Sequence, residues 1–91
     1  MEKNRKKLLA IDKKIIELLA KRQQISKKIG EIKLKNNIDP LQNNYWQQTE
    51  EIRKNWASEK QINENFVKNL FNMIRKESLK IQKLRKGKNE K

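Results

Sequence analysis

Apolar side chains recur along the first third of the chain at alternating spacings of three and four residues, which is the pattern of one face of an α-helix. No Gly or Pro interrupts this pattern before Gly30, so we predict one helix from about Lys3 to about Leu34. With a rise of 1.5 Å per residue, such a helix is about 45 Å long. Its apolar stripe consists of Leu8, Ile11, Ile15, Leu18, Ile25, Ile29 and Ile32.

One position of this stripe is charged, because Arg22 stands where Leu or Ile is due. An arginine can pack its stem among apolar neighbours and extend its guanidinium group to water. It can equally serve a functional role, such as binding an anion. The pattern alone leaves both interpretations open.

A second, short helix is predicted after a break at residues 36–40. Asp39 is placed as its N-cap and Pro40 as its first helical residue, and the helix ends near Ala57. Its apolar face consists of Tyr45, Thr49, Ile52 and Trp56.

A third helix of intermediate length follows, with Asn63 as its N-cap. Residues 85–91 are rich in Lys, contain Gly87 and are expected to fray. We therefore predict an all-α domain over residues 1–84 and a basic tail over 85–91. The apolar face of the third helix consists of Val67, Leu70, Ile74, Ile81 and Leu84, flanked by Phe66 and Phe71.

The first helix is too long for the other two to cover, so half of its apolar stripe would face water in a single chain. We expect an intertwined homodimer in which two long helices pack antiparallel and the shorter helices wrap around them. A plain coiled coil is disfavoured by Pro40 and by the tryptophans of the middle segment.

The amino-acid composition limits the kinds of chemistry that the protein can perform. The 91 residues include no Cys and no His, which excludes disulfide scaffolds, zinc fingers, Cys or His nucleophiles and imidazole acid/base catalysis. Lys and Arg number 24 against 11 Asp and Glu, so an anionic ligand is expected, either nucleic acid or a small polycarboxylate. No apolar run approaches a membrane span and no signal peptide follows Met1, so we expect a cytoplasmic protein without membrane association.

Several polar residues are spaced so that they can share a site. Arg22 and Lys33 lie eleven residues apart and project from nearly the same helical face. Ser78 and Gln82 form an i, i+4 pair beside the apolar face of the third helix. Arg5 lies about 25 Å from Arg22 along the same helix, so only an antiparallel partner could bring it to the same site.

These residues belong to four segments that together resemble the all-helical class of chorismate mutase. The resemblance needs no gap between Arg5 and Gln82, and it covers nearly the whole chain. The segments are Arg5-x6-Asp12, the run from Ile15 to Arg22, Ile29-Gly30-x2-Lys33 and Glu77-Ser78-x3-Gln82.

The resemblance implies an enzyme of the shikimate pathway that rearranges chorismate to prephenate in aromatic amino-acid biosynthesis, without metal or cofactor. Arg22 and Arg5 would hold the substrate carboxylates, with Arg5 donated by the partner subunit and Ser78 assisting. Lys33 and Gln82 would donate to the ether oxygen, whose negative charge grows as the C–O bond breaks.

The start of the second helix departs from the family pattern. Many members have Asp-x2-Arg-Glu there, and some begin this helix with Gln and end it with Trp. This chain has Gln42, Tyr45 and Trp46 at the corresponding positions, and the resemblance implies that these three residues bind the substrate. Tyr45 in place of the arginine allows an attenuated mutase, a regulatory or assembly domain, or a sister activity such as isochorismate pyruvate lyase or aminodeoxychorismate mutase. Nucleic-acid binding is the weakest alternative, because the basic residues are scattered and no known motif appears.

Overall fold

The computed structural model describes residues 1–39 and 43–89, and these form three α-helices without a strand. The helices are α1 (Glu2–Lys35), α2 (Asn43–Glu59) and α3 (Glu64–Asn89). The all-α prediction and the order of one long, one short and one intermediate helix are confirmed. Four predicted features lie outside the described residues and side chains: Pro40, Gln42, the predicted start of α2 and the side chain of Leu84.

The ends of the helices are set by local hydrogen bonds. After α1, Asn37 adopts a left-handed conformation with φ of 55°, and the Ile38 amide donates to the Lys33 carbonyl. Gln61 adopts the same left-handed conformation after α2. Helix α2 ends at Glu59, two residues beyond the predicted end at Ala57. The predicted N-cap of α3 is confirmed, because the Asn63 Oδ1 accepts a hydrogen bond from the Phe66 amide at 2.9 Å. The helix continues to Asn89, past the predicted end of the domain at 84, and fraying of 85–91 stays a prediction.

Helix α3 lies in the middle, with α1 and α2 each packed against it. Ser26 of α1 contacts Ser78 of α3, and one turn later Gly30 lies directly beside Gln82. Both helices advance by four residues between these contacts, so they run parallel. Because the facing residues of α1 are small, the two backbones approach closely at this point.

The face of α2 that packs on α3 differs from the predicted one. Trp46, Arg53 and Ala57 turn towards α3, and Ala57 is the one apolar side chain that is buried among the described residues. The predicted face is displaced by one residue and points outward, with Tyr45 66%, Ile52 45% and Trp56 61% exposed. Within a single chain this apolar face does not pack on α3, and the sequence pattern did not say which surface covers it.

A single chain leaves much apolar surface exposed. The stripe of α1 is exposed along its whole length, from Leu8 at 62% to Ile32 at 57%. The total accessible surface is 8085 Å², whereas a compact protein of this mass exposes roughly 5,600 Å². The radius of gyration is 16.2 Å, against about 12 Å for a compact chain of this length. Across residues 1–39 and 43–89, no helix has the length and apolar content needed to cross a membrane.

Candidate active site

A cleft of about 460 Å³ lies where the second half of α1, the start of α2 and the end of α3 meet. It gathers residues from all three helices, including six of the eight residues proposed from the sequence. Its described lining consists of Arg22, Ile25, Ser26, Ile29 and Lys33 from α1, Tyr45, Trp46 and Arg53 from α2, and Arg75, Ser78, Leu79 and Gln82 from α3.

Arg22 is held by a cluster of hydroxyl groups at one end of the cleft. Its Nη1 donates to the Ser78 Oγ at 2.8 Å, and the Ser26 hydroxyl donates to the same oxygen at 3.3 Å. Two donated bonds occupy the acceptor sites of the Ser78 hydroxyl, which leaves its own proton to donate to a ligand. Arg22 forms no ion pair with a described carboxylate and is half-buried. Its guanidinium group is therefore oriented without being neutralised.

Lys33 and Gln82 form a second pair further along the same two helices. The Lys33 Nζ donates to the Gln82 Oε1 at 3.3 Å, and Gln82 is buried against Gly30. This contact turns the amide of Gln82 so that its NH₂ group is the part left to donate to a ligand. Burial lowers the pKa of Lys33 below its usual 10.5, and the carboxylate of Asp39 opposes this change. An ammonium and an amide donor are thus placed side by side.

The wall contributed by α2 contains aromatic and cationic groups. The guanidinium carbon of Arg53 lies 4.1 Å from the centroid of the Trp46 ring, and that of Arg75 lies 4.8 Å from it. Tyr45 also lines the cleft while remaining largely exposed, so it sits at the rim.

Sequence reasoning missed three polar residues of the lining. Ser26 follows Arg22 by four residues, Arg53 follows Trp46 by seven, and Arg75 precedes Gln82 by seven. Spacings of four and seven place residues on one helical face, so this signal was present. The spacing does not distinguish Arg53 and Arg75 from the many surface cations of this chain.

The remaining two proposed site residues, Arg5 and Gln42, are not among the described residues that line the cleft. Arg5 lies in the exposed first half of α1, where it contacts Glu2 at 3.8 Å. Gln42 lies outside the described residues, so the structure gives no place for it.

The cleft is strongly cationic. Four of its described lining residues are Arg or Lys and none is Asp or Glu. In the described part of the chain, no group of Cys, Asp or Glu side chains could hold a metal ion. The arrangement is suited to binding and orienting an anion of small size, with paired hydrogen-bond donors at each end.

A comparison with protein families bears directly on this geometry. The sequence model of one family, chorismate mutase type II, matches residues 4–83. The chain belongs to the chorismate mutase type II family. No curated protein and no solved structure matches the chain significantly. The match confirms the resemblance inferred from the sequence. The matched range includes every described residue that lines the cleft of this chorismate mutase-family chain.

Proposed function

We propose that the protein rearranges chorismate to prephenate, with the substrate bound in the cationic cleft. The observation that carries this proposal is the convergence of Arg22, Lys33 and Gln82 on one cleft. Arg22 and Lys33 each donate a hydrogen bond to α3, and Gln82 accepts the one from Lys33. Chorismate is a dicarboxylate, which fits a cleft whose described lining includes cations and no carboxylate.

The reaction needs little else from the protein. Within one molecule a C–O bond breaks and a C–C bond forms, so no nucleophile, proton relay or second substrate takes part. Arg22 would bind a carboxylate through its fork of N–H donors, with Ser78 adding a further donor. This contact would hold the enolpyruvyl arm over the ring, which lowers the entropic part of the barrier.

Lys33 and Gln82 would act on the bond that breaks. Negative charge grows on the ether oxygen in the transition state, and two adjacent donors stabilise it more strongly than they stabilise the neutral ether of the substrate. Because Lys33 and Gln82 already contact each other, the donors need no rearrangement during the reaction.

We further propose that the active form is a homodimer. In it, the first half of α1 of each chain packs against the apolar surface of the other chain. The exposed stripe of α1 and the outward face of α2 provide the apolar surface for this contact. The single chain exposes roughly 2,500 Å² more than a compact protein of its mass, and obligate dimers commonly bury 2,000 Å² or more in total. An antiparallel partner would bring its Arg5 towards the cleft.

The mutase proposal is tested by following chorismate loss and prephenate formation with wild type, Arg22→Ala and Lys21→Ala. Lys21 is exposed beside Arg22 and serves as the matched control. We expect turnover by wild type and by Lys21→Ala, and a loss of a hundredfold or more in Arg22→Ala. Wild-type protein that leaves chorismate unchanged would contradict the proposal.

Sharing of the site is tested by mixing Arg5→Ala and Lys33→Ala subunits, each nearly inactive alone. Random exchange makes half of the dimers mixed, and each mixed dimer has one intact site, so about a quarter of wild-type activity should return. Sedimentation should give about twice the mass of 11.0 kDa for one chain. No recovery after verified exchange would show that Arg5 is not donated across chains.

A sister activity is the second candidate, and Tyr45 and Trp46 are the observation that favours it. These neutral aromatic side chains form the α2 wall where an acidic group could accept the ring hydroxyl of chorismate. A substrate with its hydroxyl elsewhere on the ring, such as isochorismate, would not need that acceptor. Incubation with isochorismate and chromatography for pyruvate and salicylate would detect a lyase.

A further inference from the structure

Arg53 occupies an unusual place between the cleft and the α2–α3 contact. Its guanidinium carbon lies 4.1 Å from the Trp46 ring centroid and 4.9 Å from that of Phe71. Trp46 and Arg53 are seven residues apart, two turns of α2, so they share one face of the helix. The two rings hold the guanidinium group at the cleft wall.

The guanidinium group of Arg53 has unused hydrogen-bonding capacity. Its Nη2 is buried and has no acceptor within bonding distance among the described residues. The nearby Glu50 carboxylate attracts it, but Glu50 also contacts the Lys68 ammonium at 3.8 Å. A buried donor without an acceptor costs free energy, so an acceptor supplied by a ligand would be favoured here.

The charge of Arg53 is also opposed by its surroundings. Burial and the positive charge of Arg22 lower the pKa of Arg53, while Glu50 and Tyr45 raise it. Arg22 and Arg53 come from different helices, line the same cleft and repel each other. An anionic group bound near both would convert this repulsion into attraction.

We propose that Arg53 is a substrate-binding residue that, with Arg22, clamps one anionic group of the ligand, and that Trp46 positions it by stacking. This proposal rests on the proposed function and deepens it. The ligand must be a small anion with a carboxylate that contacts both guanidinium groups at the same time. Arg53 thereby supplies α2 with a cation two turns beyond Tyr45, at a position for which the resemblance implied no role.

The test compares Arg53→Gln and Arg53→Met with Lys54→Gln. Lys54 is the adjacent exposed cation of α2 and does not line the cleft, so its variant controls for the loss of one positive charge. We expect Arg53→Gln to lower kcat/KM for chorismate at least tenfold, mainly through KM, and Lys54→Gln to stay within twofold of wild type. Arg53→Met keeps an apolar stem against the rings and should bind ligand poorly while melting no lower than wild type.

A binding measurement that needs no turnover separates this proposal from the mutase assignment. Benzene-1,3-dicarboxylate, an unreactive ring with two carboxylates, is titrated into wild type and each variant by calorimetry. We expect its affinity to fall at least tenfold in Arg53→Gln and to be retained in Lys54→Gln. Wild type that binds the probe in this way without converting chorismate contradicts the mutase proposal and supports the clamp.

Other outcomes overturn the role of Arg53. Equal probe binding and equal kcat/KM in wild type and Arg53→Gln would show that Arg53 does not contact the ligand. A lower melting temperature in both Arg53→Gln and Arg53→Met, with activity lost only in proportion to unfolding, would show that Arg53 merely joins α2 to α3. Wild type that binds neither chorismate nor the probe would also overturn the clamp.

Discussion

Replacement of Gly30 by Ala tests whether the close approach of α1 and α3 positions the catalytic donors. A Cβ at residue 30 would lie 3.0 Å from the Gln82 Cα and 3.2 Å from its Cβ. Carbon atoms make favourable contact at about 3.5 Å or more, so α3 must move away by about 0.5 Å. The Cα of Gln82 is backbone and cannot rotate aside as a flexible side chain could.

The substitution is expected to affect both stability and catalysis. Alanine in a helix is favoured over glycine by up to about 1 kcal/mol, while overpacking costs about 1–3 kcal/mol. The net loss is therefore between about 0 and about 2.5 kcal/mol. The bond from the Lys33 Nζ to the Gln82 Oε1 is already 3.3 Å long. A further 0.5 Å would take it past about 3.6 Å, where a hydrogen bond no longer exists. Because misplacement by about 1 Å can cost 10²-fold, we expect kcat/KM to fall between tenfold and a hundredfold.

The assay follows chorismate consumption at 25 °C beside thermal unfolding by circular dichroism. Lys28→Ala, at an exposed position of α1, is the control for introducing Ala into this helix. Full activity in Gly30→Ala would refute the reasoning. So would a loss of activity that matches the unfolded fraction, because the packing would then matter for folding alone.

Three further predictions concern charge. Because burial lowers the pKa of Lys33, kcat/KM should decline as pH rises through a midpoint below 10.5, where the ammonium loses its proton, and Lys33→Gln should abolish that limb. The free energy of unfolding changes in the opposite direction. Burial disfavours the charged ammonium of Lys33 in the folded protein, and this penalty is relieved as the pH rises through the lowered pKa. Wild type should therefore gain stability there relative to Lys33→Gln, and a parallel response of both proteins in alkaline denaturation would contradict this. Arg22→Leu should keep or raise the melting temperature without ligand while abolishing turnover, because Ser78 retains its bond from Ser26; unfolding of this variant would mark Arg22 as structural. Tyr45→Arg should raise kcat/KM for chorismate about tenfold, with a gain that shrinks with salt. It should leave stability unchanged, because Tyr45 lies at the rim of the cleft and does not pack on α3; a lower melting temperature without a kinetic gain would count against this.

The sequence alone was enough to predict the helices and most of the cleft. Spacings of three and four residues mark helices because they repeat one face, and Asn63 is a local cap whose hydrogen bond involves only its neighbours. The eleven residues between Arg22 and Lys33, and the four between Ser78 and Gln82, place each pair on one face before any packing is known. The family resemblance then joined the two faces into one site.

Tertiary structure decided how the helices are rotated and which side chains meet. The apolar residues of α2 suggested a face containing Tyr45 and Trp56, yet the helix packs through Trp46 and Ala57. A helical pattern shows which residues share a face, but not whether that face meets the same chain or another. The rotation of α2 brings Arg53 to the cleft, and the small size of Ser26 and Gly30 brings α3 close enough for Ser78 to meet Arg22. These pairings depend on contacts between helices distant in sequence, and no local spacing encodes them.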